Sequence, residues 1–84
     1  MPVTTPTWFK QRQAKAEPAG DNALKVSGPN LHEGVVAIRK TDAGWVAAVK
    51  DKPESADLRV SDPIANEAEA WGAAFELYRR QFVI

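Results

Sequence analysis

The sequence predicts an α+β domain, a three-stranded antiparallel sheet packed by one C-terminal helix, and three stretches carry that expectation. "GVVAIRK" and "WVAAVK" are rich in β-branched residues and flank "TDAG", so they read as a hairpin. "DLRVS" alternates Leu58 and Val60 against Arg59, the pattern of a half-buried third strand. "NEAEAWGAAFELYRRQFVI" then spaces its apolar residues for one face of a helix.

Taken in order, residues 1–22 hold Pro2, Pro6, Pro18 and Gly20 among threonine, glutamine and alanine, the composition of a flexible N-terminal arm. Within it Thr7 can cap a short helix through "WFKQRQAKAE". Trp8 and Phe9 are out of place in a free tail, because two adjacent large aromatics call for docking onto the domain or onto a partner. The single folded domain is expected over residues 23–84. It opens with "ALKVS", a candidate short strand, and "SGPN", a turn. In the hairpin, the early aspartate and late glycine of "TDAG" suit a type I turn with Gly44 at positive φ. A loop through residues 51–55 leads to the third strand, which "SDP" terminates.

Asn66 with Glu69 three residues later forms an asparagine version of the capping box, so a helix is expected over residues 67–81. At about 100° per residue, Ala68, Ala70, Trp71, Ala74, Phe75, Leu77, Tyr78 and Phe82 share roughly one half of it, and Glu69, Glu76, Arg79 and Arg80 the other. A wide apolar face following a sheet is what covers that sheet, which makes Trp71, Phe75 and Tyr78 core residues. Gly72 near the edge of that face is a candidate for close approach to a strand. The terminal "QFVI" reads equally as a docked tail or a free apolar end.

Composition limits the function. Eighty-four residues allow one core, and 44% hydrophobic with 26% charged residues is ordinary for a water-soluble domain. Eleven basic and eleven acidic side chains cancel, so no overall positive field draws the chain to phosphate backbones. With no cysteine and one histidine, disulfides, thiolate metal sites and cysteine nucleophiles are excluded, and no metal or other cofactor is expected. No window approaches a membrane span, and a cytoplasmic location without membrane contact is the expectation.

The residues capable of chemistry do not assemble into a recognisable centre. His32 and Glu33 are adjacent, so on extended chain they point to opposite faces. Ser27, Ser55 and Ser61 lie in no nucleophile elbow, and Asp51, Glu54, Asp57 and Asp62 match no calcium loop. The glycines are scattered rather than gathered into a phosphate cradle. The order helix, strands, helix resembles that of the double-stranded-RNA-binding domain, but that family carries lysines at the start of its last helix. Here the corresponding residues are "ANEAEAW", with Glu67 and Glu69, and the chain is not assigned to it.

A mismatch in the hairpin supplies the functional expectation. A sheet with one wet face should be polar at every second position. Here Val36 and Ile38 oppose Val35 and Ala37, and Trp45, Ala47 and Val49 oppose Val46 and Ala48, so both faces are apolar. One helix covers only one face. The second is expected to be covered by the arm through Trp8 and Phe9, by a second copy, or by a partner. The chain is therefore expected to be a small, non-catalytic protein-interaction or adaptor module. Its expected contacts are Trp8, Phe9, Val35, Ala37, Arg39, Val46, Ala48 and Lys50. The alternative is weak nucleic-acid binding through basic residues of the hairpin, Arg39, Lys40, Lys50 and Lys52.

Overall fold

The computed structural model describes residues 7–20, 22–29, 31–52 and 54–83. Along the chain these form α1 (Thr7–Arg12), β1 (Lys15–Gly20), β2 (Ala23–Gly28), β3 (Leu31–Thr41), β4 (Gly44–Lys50), β5 (Asp57–Val60) and α2 (Glu67–Tyr78). A π-helical turn, Arg79–Val83, continues α2. The strands make one antiparallel meander in the order β1-β2-β3-β4-β5. The architecture is α+β with a C-terminal helix as expected, but the sheet has five strands rather than three.

The two additional strands precede the hairpin. "ALKVSG" is the full strand β2, and "KAEPAG", read from its composition as part of the arm, is β1, paired with β2 from Lys15↔Ser27 to Gly20↔Ala23. Proline is tolerated in β1 because an edge strand has one side that bonds to nothing. The tight link to β2 is made by Gly20 at φ 133° and Asn22 at φ 53°, both residue types that accept positive φ. The expected arm thus contributes α1 and β1 to the domain, while its residues 1–6 and 21 lie outside the described residues.

The hairpin forms where the β-branched runs place it, with Thr41 facing Gly44 across the turn. The Thr41 hydroxyl donates to the Gly44 carbonyl at 2.8 Å and accepts from the Ala43 amide at 3.2 Å. Gly44 has φ 132°, as expected, and a Cβ there would stand 2.7 Å from the Ile64 carbonyl oxygen. Only glycine fits, because Trp45 and Ile64 exchange backbone hydrogen bonds at 2.8 and 2.7 Å.

Helix α2 starts at the expected cap, where the Asn66 side chain accepts from the Glu69 amide at 2.9 Å. Its apolar half lies on the sheet: Ala70, Trp71, Ala74, Phe75 and Tyr78 are buried against Val26, Val36, Ile38, Ala47 and Val49. Burying each large side chain contributes about 1.5–3 kcal/mol, so this layer dominates the stability of a small domain. On the outer half, Glu76 bonds Arg79 at 2.6 Å and Arg80 at 3.4 Å. The hydrogen bonds from Arg79 hold the Glu76 carboxyl below the usual range. Gly72 is exposed with open space around it, so it makes no close approach to a strand.

The α-helical hydrogen bonding ends at Tyr78, three residues before the expected end at Gln81, and the π-helical turn carries Phe82 back over the sheet. Gly34 receives it: a Cβ at that position would lie 2.7 Å from the Phe82 ring and 3.2 Å from that of Tyr78. Phe82 and Val83 thus pack against the core. Among the described residues, no helix is long and apolar enough to cross a membrane.

Candidate functional site

Strand pairing sorts every strand residue onto one of two faces. Val36↔Val49 and Ile38↔Ala47 lie under α2, and Val35↔Lys50, Ala37↔Ala48 and Arg39↔Val46 lie on the opposite side. Neighbouring pairs extend the second face. Reading from β2 to β5, Ala23, Ala37, Ala48 and Val60 form one cross-strand row. Lys25, Val35, Lys50 and Asp57 form the next. No helix or strand of the described residues packs over this face, because α1, α2 and the π-helical turn all join the core on the other side.

Six of the eight residues singled out in the sequence therefore come together: Val35, Ala37, Arg39, Val46, Ala48 and Lys50. Trp8 and Phe9 do not. Phe9 is buried edge-on against Phe75 with ring centres 4.9 Å apart, and Trp8 stacks on Tyr78 at 5.9 Å. The reason lies in the chain path. Ala14 and Ala16, which follow α1, pack against the core on the α2 side, and this delivers α1 beside α2. Trp8 and Phe9 thus do not cover the second face.

The open face is apolar at its centre and charged at its margin. Val35 is 2% exposed and Ala48 1%, whereas Val60 is 54% exposed. Lys25 pairs with Glu33 at 3.1 Å and Arg39 with Asp57 at 3.3 Å. Both are half-exposed pairs, worth at most about 1 kcal/mol. A shallow depression of about 200 Å³ opens beside Val35, lined by Lys25, Glu33, Asp51, Lys52 and Glu54.

The sequence pattern misassigned β5. Alternation suggested that Leu58 and Val60 face inward and Arg59 outward. In the structure Arg59 pairs with Val49 on the α2 side and donates to the Gln81 side-chain oxygen at 2.8 Å. Val60 pairs with Ala48 on the open face, and Leu58 sits at a register shift, 45% exposed. Period-two patterning identifies the two sides of a strand but not which side meets the helix. The pairing with Ala48 decides it.

His32 and Glu33 point to opposite faces, as their adjacency requires. Glu33 meets Lys25, and His32 places Nε2 2.7 Å from the Asp51 carboxylate while its ring stacks on Phe82 at 4.4 Å. The Tyr78 hydroxyl donates to the His32 carbonyl. Burial pushes the Tyr78 phenol above its ordinary range. These contacts tie the π-helical turn to the start of β3. Among the described residues, no group of three or more histidine, aspartate or glutamate side chains is placed to hold a metal.

In comparisons with known proteins, no family model matches the chain, and neither a curated protein nor a solved structure matches it.

Proposed function

We propose that the chain is a small non-catalytic protein-interaction module whose contact surface is the open face of the sheet. The observation that carries this reading is the asymmetry of cover. Both faces carry valine and alanine at their centre, yet among the described residues the three helical segments all pack on one of them. Val60 and Leu58, the exposed large hydrophobics among the described residues, lie on the strand that borders the open face. With the partly exposed Ala37 and Val46 they make up the accessible apolar part of this side of the sheet, and contiguous apolar surface rimmed by charge is the kind that marks a contact surface.

A nucleic-acid role through the hairpin's basic residues draws less support. Arg39 is engaged by Asp57, and the Lys40 ammonium lies over the Trp45 ring at 5.3 Å. The bases of the open face are interleaved with acids rather than arrayed as a basic stripe.

The test is Val60→Lys, a change at an exposed position that leaves the core intact. Proteins retained by the immobilised wild-type chain should be lost from the variant while thermal unfolding stays unchanged. Identical retention by both proteins would overturn the reading.

A further inference from the structure

We infer that the outer edge of β1, at Ala16, is a docking site for an extended acidic segment of a partner protein, which adds a sixth strand to the sheet. The site is at the opposite end of the strand order from β5 and does not depend on the reading of the open face.

The direction of the backbone groups at that edge follows from bonds at the centre of the sheet. The Ile38 amide donates to the Asn22 carbonyl at 3.0 Å, so Ile38, and by alternation Val36 and Gly34, bond toward β2. Their partners Leu24 and Val26 bond toward β3, which turns Lys25 toward β1 and, through the pair Glu17↔Lys25, turns Glu17 toward β2. Alternation then leaves the Ala16 N–H, the Ala16 carbonyl and the Pro18 carbonyl pointing away from the sheet. Pro18 agrees with this, because the residue that lacks an N–H stands where β2 needs none. Among the described residues no strand pairs with this side of β1. Outward N–H and C=O groups on an edge strand are satisfied best by another extended chain, and Pro18 confines a full exchange of bonds to Ala16. At the other edge, β5 spans only four residues and carries a register shift, so it offers a shorter template.

The surroundings of Ala16 select the chemistry of the partner. The chain leaves α1 through Gln13 at φ 56°. The Gln13 amide donates to the Lys10 carbonyl at 3.3 Å and the Ala14 amide to the Phe9 carbonyl at 2.9 Å, the paired bonds of a Schellman cap. This reversal sets Lys10 of α1 and Lys15 of β1 around one open depression of about 460 Å³, completed by Phe9, Gln13, Ala14 and Ala16. Its lining is apolar or neutral apart from the two lysines. Lys10 and Lys15 are exposed and make no ion pair among the described residues, and Glu17, the acid of β1, does not line the depression. An incoming strand with alternating side chains places an aliphatic group in the depression and carboxylates beside the lysines, so an acidic segment is complementary and a basic one is repelled.

A nuclear magnetic resonance titration of the isotope-labelled intact chain provides the test. The probes are two blocked peptides of about seven residues, one alternating valine with glutamate and the other valine with lysine, added to about 2 mM. In the free chain the Ala16 amide should exchange with solvent faster than the Glu17 amide, which bonds to β2. The glutamate peptide should shift the amides of Lys10 and of residues 14–17 saturably and slow exchange at Ala16 by at least about tenfold. The lysine peptide should bind at least about tenfold more weakly. Lys10→Glu combined with Lys15→Glu, at two exposed positions, should reverse that preference, with circular dichroism confirming the fold. Val60→Lys on β5 should leave binding of the glutamate peptide unchanged. An Ala16 amide already protected in the free chain, an absence of saturable shifts, shifts centred on Ala37 and Val60, or equal binding of the two peptides overturns the proposal. Tighter binding of an oligothymidylate than of the glutamate peptide also overturns it, by assigning the lysines to a phosphate backbone.

Discussion

Val49 and Ala48 are neighbours in β4, and both are closed to solvent, but by different means. Val49 lies beneath α2 together with Val36, under the aromatic rings of Trp71, Phe75 and Tyr78. Ala48 has no helix above it among the described residues, and its partners across the strands are Ala37 and the exposed Val60. Burial by a second layer removes large apolar surface from water and fixes side chains in a close-packed interior. On the other face the small Ala48 side chain is also closed to water, but no second layer packs against it among the described residues. Equal accessibility thus conceals unequal energetic weight, and substitutions on the two faces should separate them.

The largest effect should come from the covered side. Phe75→Ala removes a fully buried ring that meets both Phe9 and Trp71, and it should destabilise the domain by about 3–5 kcal/mol in denaturant unfolding. A loss below about 1 kcal/mol would erase the distinction between the faces.

Gly34→Val probes the margin of the same layer. The new side chain must displace the Phe82 ring and press on Tyr78, at a cost of about 1–3 kcal/mol. Amide exchange should show residues 79–83 opening first, since the π-helical turn loses its seat on β3.

Tyr78→Phe should cost about 1 kcal/mol at neutral pH by leaving the His32 carbonyl without its donor. The same change sharpens the pH profile. Burial raises the Tyr78 pKa above its ordinary value of 10.0, so the folded state favours the neutral phenol. That preference is fully present below the unfolded-state value and is lost as the pH rises through the folded-state value. Wild-type stability should therefore decline above about pH 10, and Tyr78→Phe should remove this part of the decline. Tyr78 is the only tyrosine in the chain, so phenolate absorbance reports its ionisation directly.

Gly72→Ala lies on the solvent side of α2, where a Cβ meets nothing within 4 Å. It should stabilise the domain by up to about 1 kcal/mol through helix propensity alone. Thermal unfolding would show a rise in midpoint, and a fall would mean that position 72 does not face open solvent.

The smallest change is expected at Val60→Ser on the open face, within about 0.5 kcal/mol of wild type. A loss of several kcal/mol in the isolated chain would break the comparison from the other side, by showing that Val60 belongs to a folded core.

The elements that the sequence determined are those in which local pattern and tertiary demand agree. Apolar spacing in residues 67–78 and the Asn66 cap define α2, and the β-branched runs around "TDAG" define the hairpin with Gly44 at positive φ. Two apolar faces were also legible, because side chains alternate along a strand regardless of what covers them. What the sequence left open depended on pairings between distant residues. β1 carries a proline and no alternation, and its strand geometry comes from lying against β2. Leu58 and Val60 have an inward-facing pattern, yet the pairing of Val60 with Ala48 turns that side of β5 to the open face. Trp8 and Phe9 announced a docked segment, but only the path from α1 into β1 decides that they join Phe75 and Tyr78 rather than the bare side of the sheet. Local propensity is a property of a few neighbouring residues, whereas the choice of face is made by the register of the whole sheet. The tertiary structure therefore had to decide which apolar surface was left open.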